Sequence, residues 1–174
     1  KFTENFSLSE IVAKLLSIRR KNIDDIAMFL DPKIKNLLPN PLHLKDMNKA
    51  IERTYKSIIK GELIGIFGDY DVDGASSTAL LARYFLSLKQ KIRTYIPDRQ
   101  TEGYGPNNGG FKNLINNGVK IIFTVDCGTL SFEPINLAQK LDVDVIVLDH
   151  HQSDIKLPNA CAIINPNRYD DTSG

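Results

Sequence analysis

Cysteine is scarce. Only Cys127 and Cys161 occur, which is too few for a disulfide framework or for a zinc site built on paired cysteines. Such usage fits reduced thiols in a cytoplasm. No apolar run approaches the ~18 residues that a membrane-spanning helix needs. The opening KFTENFSLSE lacks a basic start followed by an apolar stretch, so no secretory signal is expected. Repeats and low-complexity tracts are missing too. Neither sign of charge dominates: 22 Lys/Arg stand against 21 Asp/Glu, and the net charge of +1 argues by itself for no partner.

What is present is an ordinary globular balance, 42% hydrophobic and 25% charged. A chain of 174 residues can bury one core with a helical appendage beside it. The charges are unevenly spread. Residues 1–60 hold 12 Lys/Arg against 7 Asp/Glu, whereas residues 61–174 hold 10 against 14. A basic arm beside an acidic body suits a polyanion track that leads to a carboxylate-bound metal, although two solvated surfaces would look the same.

The first sixty residues read as helices. SLSEIVAKLLSIRR places Leu8, Ile11, Val12, Leu15 and Leu16 on one side, with Ser7 or Ser9 as the cap. NIDDIAMFLDP is a short helix with acids in its first turn, stopped by Pro32. Beyond Pro39 and Pro41, a third helix sets Met47, Ile51, Tyr55 and Ile58 at helical spacing and closes at Gly61. His43, in the Pro-broken loop, reads as structural.

From residue 62 strands and helices alternate. Strands are expected at 63–67, 92–96, 120–125, 144–148 and 160–164, with helices around 77–88, 111–117 and 134–141. Short connections between alternating elements predict an α/β fold, a parallel sheet flanked by helices and preceded by a short helical leader. The expected division is 1–61 and 62–174. The chain stops at NRYDDTSG directly after a strand-like segment, so it reads as a fragment of something longer.

Polar residues gather just after the carboxyl ends of the strands. LIGIF runs into Gly68, Asp69, Tyr70, Asp71, Val72, Asp73 and Gly74. IIFTV runs into Asp126, Cys127 and Gly128, and DVIVL into Asp149, His150 and His151. In an open parallel sheet those ends lie side by side and form the ligand crevice. Five carboxylates brought together repel one another unless a cation sits among them. Oxygen ligands with one or two imidazoles suit Mn2+ or Mg2+, and a shared carboxylate bridges two such ions at about 3.5–4 Å in two-metal phosphoryl hydrolysis.

Each motif has a duller reading. DYDVDG opens like an EF-hand loop, but that loop needs Glu at its twelfth position, where Leu80 stands, and the segment follows a strand. Asp126 could simply cap the next helix, and adjacent histidines are often solvent-facing. The common structural slot of all three motifs weighs against these readings. In PDRQTEGYGPN, Arg99 could hold a phosphate and Tyr104 stack on a base, while an Arg99–Glu102 pair bracing the loop is the preferred alternative. In Asn165-Pro166-Asn167-Arg168, Arg168 is a candidate phosphate contact.

DYDVDG, PDR with EGYG, VDCG, DHH and NPNR, in that order across roughly residues 62–172, closely resemble the motif series of RecJ-type nucleases in the DHH superfamily of phosphoesterases. The resemblance implies a 5′→3′ exonuclease on single-stranded DNA, dependent on Mn2+ or Mg2+, serving recombination and repair with helicase partners. It implies Asp71, Asp73 and Asp126 as metal ligands, Asp126 bridging, with His150 completing one shell and Asp69 serving the other ion. Asp149 and His151 would orient ligands or contact the scissile phosphate, His151 being a candidate proton donor.

Two departures matter. Pyrophosphatases of the superfamily place a histidine where this chain has Phe67, which disfavours that branch. RecJ-like proteins draw a further aspartate ligand, a DHHA1 domain and an oligonucleotide-binding fold from downstream. Two other readings stay in view: a DHH phosphodiesterase of short oligonucleotides or cyclic dinucleotides, and a non-catalytic, degenerate DHH binding module.

Overall fold

A computed structural model of the chain describes residues 7–19 and 26–173. The chain divides into two compact units between Asn40 and Pro41. The first holds α1 (Glu10–Ile18), α2 (Ile26–Leu30) and α3 (Ile34–Leu37). Ser9 caps α1, accepting from Val12 N at 3.4 Å. Of the expected apolar stripe only Leu16 is buried, and Ile11 and Leu15 are exposed. The acids expected to open the second helix, Asp24 and Asp25, lie outside the described residues.

The second unit begins with a 3-10 turn, Pro41–His43, on which His43 is exposed. It continues with α4 (Met47–Lys60), β1 (Ile64–Gly68), α5 (Val72–Ser87), β2 (Ile92–Tyr95), α6 (Asn108–Asn116), β3 (Ile121–Val125), α7 (Phe132–Lys140), β4 (Asp144–Leu148) and β5 (Ala162–Ile164). Helix α4, assigned above to the leader, therefore belongs with the sheet. Arg53 fastens it there through ion pairs to Glu62 at 2.8 Å and Asp144 at 2.5 Å. Its inward face also differs from expectation: Ala50 and Ser57 are buried, whereas Ile51 and Tyr55 face water. Small residues let the helix lie close to the strands, and periodicity of large side chains could not reveal that.

All five strands are parallel, in the order β2-β1-β3-β4-β5. Side chains alternate across the sheet, so β3 sends Ile122 to one face and Ile121, Phe123 and Val125 to the other. The first face packs Phe67, Ile122, Val145, Val147 and Ile163 against Phe111 and Leu114 of α6 and Ile135 of α7. The second packs Ile64, Ile66, Phe123, Ile146 and Ile164 against Ala50 of α4 and Phe85 of α5. Burial on both faces explains why the strands read as nearly continuous apolar runs. Gly61 closes α4 at φ 63°, as its position suggested.

The chain leaves β1 toward β2 on one side, then crosses to β3 on the other. The order reverses between β1 and β3, and a crevice opens beyond their carboxyl ends. Helix α5 begins five residues before the predicted start, inside the acidic motif itself. Asp71 is its N-cap, accepting from Gly74 N at 2.9 Å. The hydroxyls of Ser76 and Ser77 turn back onto the carbonyls of Val72 and Asp73. An acidic, glycine-bearing first turn has no apolar period to announce it. Gly74 is required there because a Cβ would sit 2.5 Å from the carbonyl oxygen of Asp69.

Candidate metal centre

Asp69, Asp126 and Asp149 each follow the last residue of a strand, and ladder bonds hold two of them. Asp126 N donates to Leu148 O at 2.9 Å, and Asp149 N to Ile164 O at 3.0 Å. All three are buried. Asp126 adopts φ 60°, a left-handed conformation that aspartate tolerates better than most residues and that is common at functional sites. It does not cap α7, whose N-cap is Ser131. Gly128, at φ 113°, completes the turn, and a Cβ there would collide with the Thr124 hydroxyl.

The structure brings part of the expected set to one point, Asp126 with the two histidines. His150 Nε2 lies 2.9 Å from Asp126 Oδ1. Asp126, His150 and His151 offer ligand atoms that all lie within 4.8 Å of one another. Asp71 faces Asp126 at hydrogen-bonding range, and the two carboxyls split in acidity. Burial pushes Asp126 up, with Asp71 adding to the effect and His150 opposing it. The Gly74 amide holds Asp71 down. Asp73, exposed on the first turn of α5, lines the same open groove as Asp126, Asp149 and His150. Asp69 Oδ1 takes a long contact of 3.4 Å from Gly105 N.

Asp69 Oδ2 and Asp126 Oδ2 are both buried without a hydrogen-bond partner. An unpaired buried carboxylate oxygen is costly, about 1–3 kcal/mol or more, and two at the ends of neighbouring strands, one of them on the carboxylate that meets His150, fit a cation there. The donor set of carboxylates and imidazole fits a hard or borderline divalent ion. Cys127 is no ligand candidate. It is buried, and burial beside Asp149, Asp69 and Asp126 pushes its thiol well up, so a thiolate is disfavoured.

Asp149 is the acceptor at the centre of the DHH turn. Its Oδ2 takes the Thr129 amide at 3.0 Å, and its Oδ1 takes the amides of His150 at 2.7 Å and His151 at 3.1 Å. His151 Nδ1 lies 2.7 Å from the same oxygen. Burial works against its ionised form, but the bonds from Thr129 and His151 outweigh burial and lower its pKa. The hydrogen bond to Asp149 raises His151. Since backbone amides only donate, Asp149 must accept, which makes His151 Nδ1 the protonated nitrogen.

Tyr104 hangs over this pair, its hydroxyl 3.1 Å from His151 Nε2 and 3.4 Å from Asp126 O. Its ring stands edge-on to Tyr70 at 6.4 Å, and the Arg99 guanidinium lies 5.5 Å from the Tyr70 ring centre. Arg99 is exposed and turned to Tyr70 rather than paired with Glu102, so the preferred bracing pair is corrected. Glu102 is held instead by Tyr95 OH at 2.6 Å and Asp98 N at 2.8 Å, because tyrosine and backbone donors sit closer inside the loop. Tyr70, between two motif acids, was not singled out by the sequence.

Arg168 is also corrected. It is buried and committed, with Nε and Nη2 on Asp170 at 2.9 and 3.0 Å and Nη1 on Asp46 at 2.7 Å and on Ile163 O. Each guanidinium nitrogen is engaged, so the side chain braces the last loop onto the start of α4 rather than offering a fork to phosphate. Thr129, Asn165 and Asn167 were missed, though two of them stand in the NPN segment.

Residues 63–174 match the family described as DHH family, N-terminal domain. Over 165 residues the chain is 36% identical to the single-stranded-DNA-specific exonuclease RecJ of Bacillus subtilis (strain 168), covering 94% of this chain and 21% of that protein. It is 38% identical over 145 residues to the enzyme of the same name from Escherichia coli (strain K12), covering 83% of this chain and 25% of that one. The chain thus spans a quarter or less of the length of these relatives. Among solved structures, exonuclease RecJ bound to manganese superposes with a TM-score of 0.68 at 29% identity, covering 74% of this chain and 33% of that one. RecJ in complex with Mn2+ from Thermus thermophilus gives 0.62 at 25%, covering 82% and 20%. The sheet, its switch-point acids and the matched span agree, and the chain belongs to the DHH family.

Proposed function

We propose that this chain carries metal-binding residues of a phosphodiesterase that removes nucleotides from the 5′ end of single-stranded DNA. The observation that carries the reading is the pair of unpaired buried oxygens, Asp69 Oδ2 and Asp126 Oδ2, at the ends of neighbouring strands, the second of them beside the two histidines. Asp71, Asp73, Asp126 and His150, with Asp69, are the residues that would hold the divalent metal, Mn2+ or Mg2+, as two ions in the reading the motifs imply. Bound there, such ions supply a nucleophile at neutral pH and neutralise charge on the phosphoryl oxygens.

The remaining work falls to the chain's own side chains. Asp149 keeps the proton on His151 Nδ1, so that Nε2 faces the crevice beside Tyr104. When protonated at Nε2, His151 donates to the departing oxygen, and the carboxylate behind it favours that protonated form. Arg99, exposed on the Tyr70 face, meets strand phosphates at the rim, and Tyr104 presents an aromatic surface to a base. In keeping with the motif resemblance, we assign the reaction to recombination and repair in the cytoplasm, with repair helicases as partners.

The test uses the full-length protein throughout, with 5′-labelled single strands and Mn2+. Mononucleotide release that disappears in Asp126→Ala is expected. Faster turnover of dinucleotides than of long strands would move the substrate to short oligonucleotides. Absence of Mn2+ binding by calorimetry would sink the catalytic reading and leave a binding module.

A further inference from the structure

The Asp149–His151 pair is held from outside the three acidic motifs, by the segment that follows β5. Asn165 is completely buried. Its Nδ2 donates to the Thr129 hydroxyl at 2.8 Å and to the His151 carbonyl at 2.9 Å, while its Oδ1 accepts from Asn167 N at 2.8 Å. Two of these partners are one-way: a carbonyl only accepts and a backbone amide only donates. They leave the amide a single orientation, and three of its four hydrogen-bonding positions are filled.

Thr129 feels that orientation directly. Since Asn165 Nδ2 can only donate, the Thr129 hydroxyl must accept there, and its own proton is left to point elsewhere. Thr129 already reaches Asp149 through its backbone amide at 3.0 Å, and its hydroxyl also acts as a hydrogen-bonding neighbour of that carboxylate. Asn165 therefore touches the pair at both ends, the carboxylate through Thr129 and the histidine through its carbonyl. Asn167 clamps the neighbouring carbonyl, that of His150, with its own side-chain amide. The histidine side chains are about half exposed at 60% and 46%, so packing alone does not hold their rings.

The geometry points to Asn165 as a positioning residue: with Thr129 as its intermediary it locks the Asp149 carboxylate and the His151 backbone into one ring of hydrogen bonds, which fixes how the His151 imidazole faces the crevice. What the imidazole is for rests on the function proposed above, but the ring itself does not.

The experiment is therefore read first without metal or substrate. In the protein labelled with 15N-histidine, at a pH where the ring is neutral, His151 ring nitrogens observed through the carbon-bound ring protons should report a single tautomer protonated at Nδ1. Asn165→Asp should move both shifts toward tautomer averaging. Thr129 gives the decisive pair of variants. Thr129→Val keeps the volume and loses the hydroxyl, whereas Thr129→Ser loses a methyl and keeps it. A packing role makes serine the worse change. A positioning role makes valine the worse change, with serine restoring the parent's spectrum. In the metal-loaded protein, Asn165→Asp and Thr129→Val should lower kcat about 10–100-fold, with strand KM held and Thr129→Ser near the parent. Unchanged ring shifts in both Asn165→Asp and Thr129→Val, with circular dichroism reporting a folded protein, overturn the proposal. If Asn165→Asp does not fold, the order of the two threonine variants still decides. Ring shifts that behave as expected in a protein that cleaves no phosphodiester would refute the proposed function and leave the positioning role standing.

Discussion

Replacing Asp126 by asparagine separates what the rim costs the fold from what it gives the site. In the parent, Asp126 Oδ2 is buried without a partner, and Asp71 faces the same carboxyl. An unsatisfied buried acceptor costs about 1–3 kcal/mol. The amide of Asp126→Asn removes the like-charge contact and keeps an oxygen for the crevice, so the metal-free variant should be at least as stable as the parent. Ligand binding acts in the opposite direction. At a Mn2+ concentration of about 100 times Kd, a single bound ion adds about 2.7 kcal/mol to the parent. For a chain of this length each kcal/mol moves Tm by about 2–4 °C, which predicts a rise of about 5–11 °C. Asp126→Asn should show none of it. Scanning calorimetry of both proteins, with and without Mn2+, reads the four midpoints. If the variant keeps the Mn2+-dependent rise, Asp126 is not a ligand. A metal-free midpoint well below the parent's would mean that the carboxylate is a structural acceptor and that the rim is not under electrostatic tension.

Other perturbations probe separate parts of the molecule. Arg168→Met should destabilise the protein by about 1–3 kcal/mol in urea unfolding, because Asp46 loses its buried partner and keeps only the exposed Lys49; a stable variant that only binds strands more weakly would restore the phosphate role. Acidification reads the same brace. Burial works to raise Asp46, but bonds from Lys49 and Arg168 win and lower it, and Arg168 and Lys45 lower Asp170. Groups depressed in the fold stabilise above the unfolded carboxylate value of about 3.9 and lose that contribution as pH falls through their lower folded values. Midpoints recorded below about pH 4 should therefore fall steeply in the parent and more gently in Arg168→Met. Tyr104→Phe should leave stability within about 1 kcal/mol, since only the hydroxyl's contacts with Asp126 O and the His151 ring go, while slowing strand cleavage. Arg99→Ala should raise the KM for strands without lowering kcat, and an unchanged KM would remove Arg99 from the rim contacts.

The parts of this molecule that could be read from its sequence are those where one strong physical signal stands alone. Strands buried on both faces announce themselves as apolar runs, and β4 spans 144–148 as expected. A parallel sheet then forces the strand ends to one edge, which is why Asp69, Asp126 and Asp149 could be brought together from their positions after the strands alone. Where two signals compete, the reading slipped. The start of α5 was hidden because the residues that begin it, an aspartate cap and a glycine, are also those of an acidic turn. Arg168 and Arg99 show the same limit from another direction. An arginine beside a crevice has the same spelling whether its fork is free or full, and only the positions of Asp46 and Asp170, one of them 122 residues away in sequence, decide it. Asn165 was invisible for a related reason. Its chemistry is that of a neutral amide, and its importance comes wholly from facing a carbonyl, an amide and a hydroxyl whose directions leave it no choice. Acids that bind a cation can be found by charge and spacing. The residues that hold the Asp149–His151 pair still can be found only where the donors and acceptors are seen, and in this fold Asn165 and Asn167 lie on a strand-to-loop transition, after β5, that contributes no acid to the rim.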